Sequence, residues 1–132
     1  MPKKRLFFSI DWFLPGTNSG GPVRSLANLL PALSAFEVYI FTRNTDYCSS
    51  TPYPGIVPNC WTDFASGVRV FYADATSCNR ITLERLMISV DPSVVYVSGV
   101  YSRIFSMEVR RLAVQLGYRS VSYTHLTLPT KA

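Results

Sequence analysis

The sequence predicts an α/β fold, a doubly wound parallel sheet with helices on both faces. Three observations lead there: short, nearly unbroken apolar runs of strand length, segments with helical apolar spacing that alternate with them, and glycine, proline and asparagine at the junctions. With 132 residues the chain has the length of one domain. That length suffices to bury roughly two thirds of the unfolded surface. A composition 48% apolar and 16% charged is too apolar and too weakly charged for a disordered chain.

The elements follow in order. "RLFFSI" (Arg5 to Ile10) has the composition of a strand covered on both faces. Val23, Leu26, Leu30 and Leu33 then form one apolar helical stripe with Ala27 beside it. Pro22 suits the first helical position, where its missing N–H costs nothing, whereas Pro31 should kink or shorten the last turn. "EVYIFTR" (Glu37 to Arg43) reads as the second strand. The stretch from Asn44 to Gly67 is rich in Pro, Ser, Tyr and Trp and reads as a long loop, of the kind that is usually functional or mobile.

"GVRVFYA" (Gly67 to Ala73) is the third strand, and "WTDF" before it can pair with its start as a hairpin. Asn79 or Ser77 caps a helix whose buried side is Ile81, Leu83, Leu86, Met87 and Val90, and Pro92 stops it. "SVVYVSG" (Ser93 to Gly99) is the fourth strand, and "SRIFSMEVRRLAVQLG" the third helix, ended by Gly117. Right-handed crossovers between such elements put ligands outside the carboxyl ends of the strands. Two loops leave that edge with suggestive chemistry: Asp11 to Gly21, and Gly99 to Arg103.

Thirteen Lys and Arg against eight Asp and Glu give +5, without a basic stripe. Such a surplus suits a phosphate-bearing ligand or an anionic membrane surface; no nucleic-acid motif accompanies it, and a mildly basic surface explains it equally. Cys48, Cys60 and Cys78 are odd in number and lack Cys-x-x-Cys spacing, so neither a disulfide framework nor a zinc site is indicated, and a reducing, cytoplasmic setting fits. The apolar run after the basic start is five residues long, too short for a signal peptide or a membrane span.

Gly20 and Gly21 precede a helix whose first N–H groups lack intrahelical partners, and glycine lets a phosphate approach that backbone closely. Arg24 stands one turn in, where a cation is disfavoured by about 0.3–1 kcal/mol unless an anion sits before it. It either pairs with such an anion or points into water. Asp11 either accepts from a hydroxylated ligand or caps its own loop. Ser98, Tyr101 and Ser102 offer hydroxyls at the fourth strand's mouth, and Trp12, Trp61 and Tyr53 either stack on a sugar or tether the long loop to the core.

"VSYTHLTLPT" (Val121 to Thr130) resembles, residue for residue, the translation of a transposase-type sequencing adapter. Residues 121–132 are therefore expected to be a non-native tail, and His125 within it carries no catalytic role. The stretches "DWFLPGTNSGGPVRSLANLLPALS", "VYIFTRNTDY", "YPGIVPNCW" and "VVYVSGVYSRIFSMEVRRLAVQLG" together resemble the N-terminal, acceptor-side domain of bacterial family 4 glycosyltransferases, the retaining group with the GT-B fold.

That resemblance implies a Rossmann-like lobe over residues 1–120, incomplete and lacking the C-terminal lobe. It implies transfer of a hexosyl unit from a UDP- or GDP-sugar to a saccharide or lipid-linked acceptor in surface polysaccharide assembly, in the cytoplasm, with peripheral contact to the inner face of the membrane left open. By the same resemblance Gly20, Gly21 and Arg24 approach the donor's diphosphate or sugar, while Asp11, Ser98, Tyr101 and Ser102 face the acceptor. The leaving diphosphate in such enzymes is neutralised by amides, helix ends and basic side chains, so no bound metal or other cofactor is expected. Two further readings stay open: a small non-catalytic α/β module that binds a phosphorylated ligand, and a truncated product without function.

Overall fold

The computed structural model describes residues 3–16, 18, 21–98 and 102–123. Its strands are β1 (Lys4–Ser9), β2 (Phe36–Arg43), β3 (Trp61–Ala65), β4 (Val68–Ala73), β5 (Val94–Ser98) and β6 (Arg119–Tyr123). They form one sheet in the spatial order β3-β4-β2-β1-β5-β6. β1 pairs in parallel with both β2 and β5, β2 with β4, and β5 with β6, while β3 and β4 form the antiparallel hairpin at one edge. This is a Rossmann-like α/β fold.

The helices are α1 (Gly21–Leu29), α2 (Arg80–Val90) and α3 (Val109–Leu116). The strand alternation divides the apolar side chains between two cores. Phe7, Phe41, Phe71, Val95 and Val97 face α2 and α3, where Leu83, Met87, Phe105, Val109 and Leu112 meet them. Leu6, Phe8, Val38, Ile40 and Val70 face the other way, against Val23, Leu26 and Leu30 of α1 and its continuation. Phe7, Val95 and Val97 are fully buried, as the apolar runs of β1 and β5 require.

Local chemistry sets the helix ends. α1 gives way at Leu30–Leu33 to a 3-10 turn with Pro31 at its start, the shortening that a proline without an N–H imposes. The Asn79 side chain caps α2, accepting from the Thr82 N–H at 2.9 Å. Gly117 ends α3 at φ +80°, a conformation that glycine adopts without cost.

Three features differ from the sequence expectation. Ile81 lies 70% exposed rather than on the buried side of α2, because the stripe that packs is Leu83, Met87 and Val90. The third helix starts as a six-residue π-helix, Arg103–Glu108, in which the Met107 N–H reaches back to the Ser102 carbonyl at 3.0 Å. A sixth strand follows α3, and its residues Val121, Ser122 and Tyr123 fall in the stretch that resembles adapter sequence.

Two buried hydroxyls fasten the π-helix to the ends of the central strands. Ser9 donates to the Phe105 carbonyl at 2.7 Å and Ser106 to the Ser98 carbonyl at 2.8 Å, both side chains being inaccessible to solvent. Replacing Ser9 or Ser106 by alanine is expected to lower the urea-unfolding free energy by about 1–3 kcal/mol each, because a buried carbonyl loses its donor. A cost near zero in both variants would contradict this fastening.

Candidate functional site

β1, β2, β4, β5 and β6 run in parallel, so their carboxyl ends gather along one rim. β1 is the strand from which the sheet extends both ways, and the crevice beside such a reversal is where open α/β sheets hold ligands. Ser9 pairs with Phe41 in the β1–β2 register, which sets Asp11 beside Arg43 two residues further on. The ladder continues to that point: the Ile10 N–H donates to the Phe41 carbonyl at 3.1 Å and the Arg43 N–H to the Asp11 carbonyl at 3.3 Å.

The side chains of this pair approach to 3.6 Å between Arg43 Nη2 and Asp11 Oδ2, with the carboxylate side chain 20% and the guanidinium side chain 38% exposed. Burial raises the Asp11 carboxyl above its ordinary value, against the opposing pull of the Ser102 hydroxyl and the Arg43 charge. The guanidinium lies over two rings, 4.8 Å from the centre of Phe105 and 5.9 Å from that of Trp12. Its Nε is shut off from solvent and has no hydrogen-bond partner among the described residues; the buried Thr42 hydroxyl is in the same position.

The rim therefore brings together some of the expected residues. Asp11 and Ser102 interact, and Ser102 also caps the π-helix by accepting from the Phe105 N–H at 3.2 Å. Ser98 ends β5 nearly buried, its carbonyl held by Ser106. Gly21 opens α1, but Gly20 and Tyr101 lie outside the described residues. Arg24 is exposed in the first turn of α1 and makes no ion pair or hydrogen bond among the described residues. Arg43 is the residue that sequence reasoning missed. The signal was available: once the first two strands are taken as parallel neighbours, Asp11 and Arg43 come level.

The aromatic residues differ in how they are held. Tyr53 is a tether: its ring is buried, and its hydroxyl lies 3.0 Å from the carbonyls of both Phe13 and Thr45. Burial, reinforced by Asp46, pushes the Tyr53 hydroxyl up to about 12. The Tyr72 hydroxyl donates to the Leu14 carbonyl, and Trp61 packs edge-on against Tyr39 and Phe71. Trp12, by contrast, is only half-buried and meets the exposed Tyr47 edge-on at 4.8 Å.

Arg43 stands between two clefts. One, of about 310 Å³, is lined by Asn44, Ser50, Asp74 and Cys78 among others; the second, of about 450 Å³, by Trp12, Asp46, Cys48 and Ser49. Both include Thr45 and Ser50. Hydrogen bonds from Thr76 and Asn59 hold the Asp74 carboxyl below its ordinary value, and burial raises the Cys78 thiol. Among the described residues no three His, Cys, Asp or Glu side chains converge as metal ligands. No helix is long and apolar enough to cross a membrane, among the described residues. The rim thus offers the Arg43 guanidinium, several carboxylates and hydroxyls, and an indole, groups that can both donate to and accept from a polar guest.

The loop that carries Asp11 and Trp12 is tied to the 44–53 segment. A Cβ at Gly16 would collide with the Tyr53 hydroxyl and stand 2.6 Å from the Asp46 carboxylate. Asp46 also accepts from the backbone N–H of Asn18 at 3.3 Å and of Tyr47 at 2.7 Å. Gly16→Ala is expected to destabilise the chain by about 1–3 kcal/mol in urea unfolding, the usual cost of overpacking, and to disturb the Trp12 fluorescence.

A second expectation concerns pH. At low pH, Asp11 is protonated in both folded and unfolded chains. As pH rises through the ordinary value of 3.8 the unfolded chain gives up its proton first, because the folded value is higher, so stability falls until the folded group has ionised as well. The unfolding free energy of the native chain minus that of Asp11→Asn should therefore decrease as pH is raised from below 3.8 towards neutrality. A difference that rises or stays level over that range would contradict the assignment.

Comparison of the chain with protein-family models gives no match, and comparison with curated proteins gives none either.

Proposed function

We propose that this chain is the acceptor-side lobe of a retaining glycosyltransferase, which moves a hexosyl unit from a nucleotide sugar to a saccharide or lipid-linked acceptor. The observation that carries the reading is the Asp11–Arg43 pair at the sheet's reversal point, with Ser102 on one side and Trp12 on the other. A carboxylate can accept from one sugar hydroxyl while the guanidinium beside it donates to the neighbouring one, and an indole covers the apolar face of a pyranose. The resemblance of "GGPVRSLANL" and "YPGIVPNCW" to family 4 supports the same direction.

In this reading the lobe orients the acceptor. The amides at the start of α1 lie ready for the donor's diphosphate, whose nucleotide is held mainly by a second lobe. Catalysis then rests on preorganised dipoles and cations that stabilise the charge on the leaving diphosphate. Asp11, as a partly buried carboxylate, positions an acceptor hydroxyl.

Two measurements test the reading. Residues 1–132 alone should release no UDP or GDP from nucleotide sugars, because in this reading the nucleotide is held mainly by a second lobe that these residues do not form. The protein encoded by the full reading frame should transfer sugar, and Asp11→Asn in it should raise the acceptor KM about tenfold while leaving the donor KM unchanged, as expected when an interaction with one substrate is removed. Turnover by the short chain, or none by the full-length protein, would overturn the proposal.

A further inference from the structure

α2 and the unit formed by the π-helix and α3 cover the same face of the sheet, with Leu83, Met87, Phe105 and Val109 turned inward. Their outward sides repeat one pattern. On α2, Ile81, Arg85 and Ile88 follow at steps of four and three, so they share one stripe, and all three are exposed. On the second unit Arg103, Met107, Arg111 and Val114 follow at steps of four, four and three, and all are exposed. Ile81 is 70% open to solvent, Ile88 54%, Met107 45% and Val114 75%. These are half of the eight large exposed apolar side chains among the described residues, a concentration that singly scattered surface residues do not show. The exposed residues of α1, Arg24 and Asn28, include no such side chain.

Polar contacts join the two stripes. Arg80 Nη2 donates to Gln115 Oε1 at 2.7 Å and its Nε stands 3.9 Å from Glu108 Oε2, while Arg111 Nη1 lies 3.2 Å from Glu108 Oε1. Two guanidiniums thereby neutralise Glu108, whereas Arg85 and Arg103 make no ion pair among the described residues. Arg80–Val90 and Arg103–Leu116 together hold five arginines against Glu84 and Glu108. The face combines surplus positive charge with protruding apolar side chains.

That combination selects the occupant. A second copy laid face to face would set arginines against arginines, and a neutral partner would leave them uncompensated. A protein partner would need carboxylates at fixed matching positions, whereas mobile lipid headgroups gather under cations wherever these stand. An anionic bilayer meets both features of the face: arginine stems lie along apolar surface while the guanidiniums reach lipid phosphates, and apolar side chains enter the boundary between headgroups and acyl chains. We propose that the outward side of α2 and α3 docks on an anionic lipid surface, with Ile81, Ile88, Met107 and Val114 in the interface and Arg85 and Arg103 on phosphates. The inference stands apart from the glycosyltransferase reading, since it uses none of Asp11, Trp12 and Arg43.

The test is sedimentation of residues 1–132 with vesicles of phosphatidylcholine alone and of phosphatidylcholine and phosphatidylglycerol in equal parts. The mixed vesicles should bind the chain, less so as salt is raised, and the neutral ones at least about tenfold more weakly. Arg85→Gln/Arg103→Gln should raise the half-saturating lipid concentration about tenfold, whereas Lys3→Gln/Lys4→Gln, an equal loss of charge elsewhere, should change it less than about twofold. Ile81→Ser/Ile88→Ser/Val114→Ser should raise it at least about tenfold with the charge untouched. All the replaced side chains are exposed, and thermal melts followed by circular dichroism check that the variants fold; where a multiple variant melts early, its single replacements are read instead.

The proposal is overturned if the mixed vesicles do not bind, if neutral vesicles bind as well, if the lysine variant loses as much as the arginine variant, or if the serine variant binds undiminished. Retention on polyglutamate without vesicle binding would assign the face to an acidic protein. A dimer broken by the serine variant, again without vesicle binding, would assign it to a second copy. Either result also overturns the proposal.

Discussion

The central strand carries the molecule. β1 is hydrogen-bonded on both sides, to β2 and to β5, and buried on both faces, with Phe7 in one core and Leu6 and Phe8 in the other. The two cores meet only across its backbone and that of its neighbours, so the placement of β1 sets the phase of every apolar contact in the sheet. Its carboxyl end is also where polar chemistry begins. Ser9 is the last residue of the strand, and its buried hydroxyl holds the π-helix that carries Phe105 under Arg43. A shift of one residue in β1 would exchange the cores and dissolve the rim together.

Polar groups near that rim are mostly committed to structure. Asp74 serves its own turn, Asp46 serves the amides of Asn18 and Tyr47, and Ser102 caps a helix. Arg43 differs, since its ion pair is long, its Nε has no acceptor among the described residues, and two aromatic rings lie beside its guanidinium. π-helical turns such as the one beneath it occur often at functional sites, where they move a side chain out of the regular helical phase. The burial that raises Asp11 belongs to the same arrangement: a carboxylate partly removed from water gains more from a new hydrogen-bond donor than an exposed one does.

Elements set by short-range chemistry were legible in the sequence. The apolar runs of β1, β2, β4 and β5, the Asn79 cap, the break at Pro31 and the glycine stop at Gly117 each depend on residues within one or two turns of chain. Features that depend on distant partners were not. Arg43 acquires its role only when β1 and β2 align, the tethers of Tyr53 and Tyr72 reach across 40 and 58 residues, and the π-turn follows from buried contacts to other strands. Ile81 misled because apolar spacing marks a stripe without saying which edge of it meets the sheet. β6 was hidden by the likeness of its second half to adapter sequence.

The crowding around Gly16 has an evolutionary side. Because the first loop and the 44–53 segment share Tyr53 and Asp46 as common supports, neither can drift independently of the other. Changes in the shape of this rim would have to come by paired replacement of both loops. A chimera that grafts one of them without its counterpart would carry a mismatched seam.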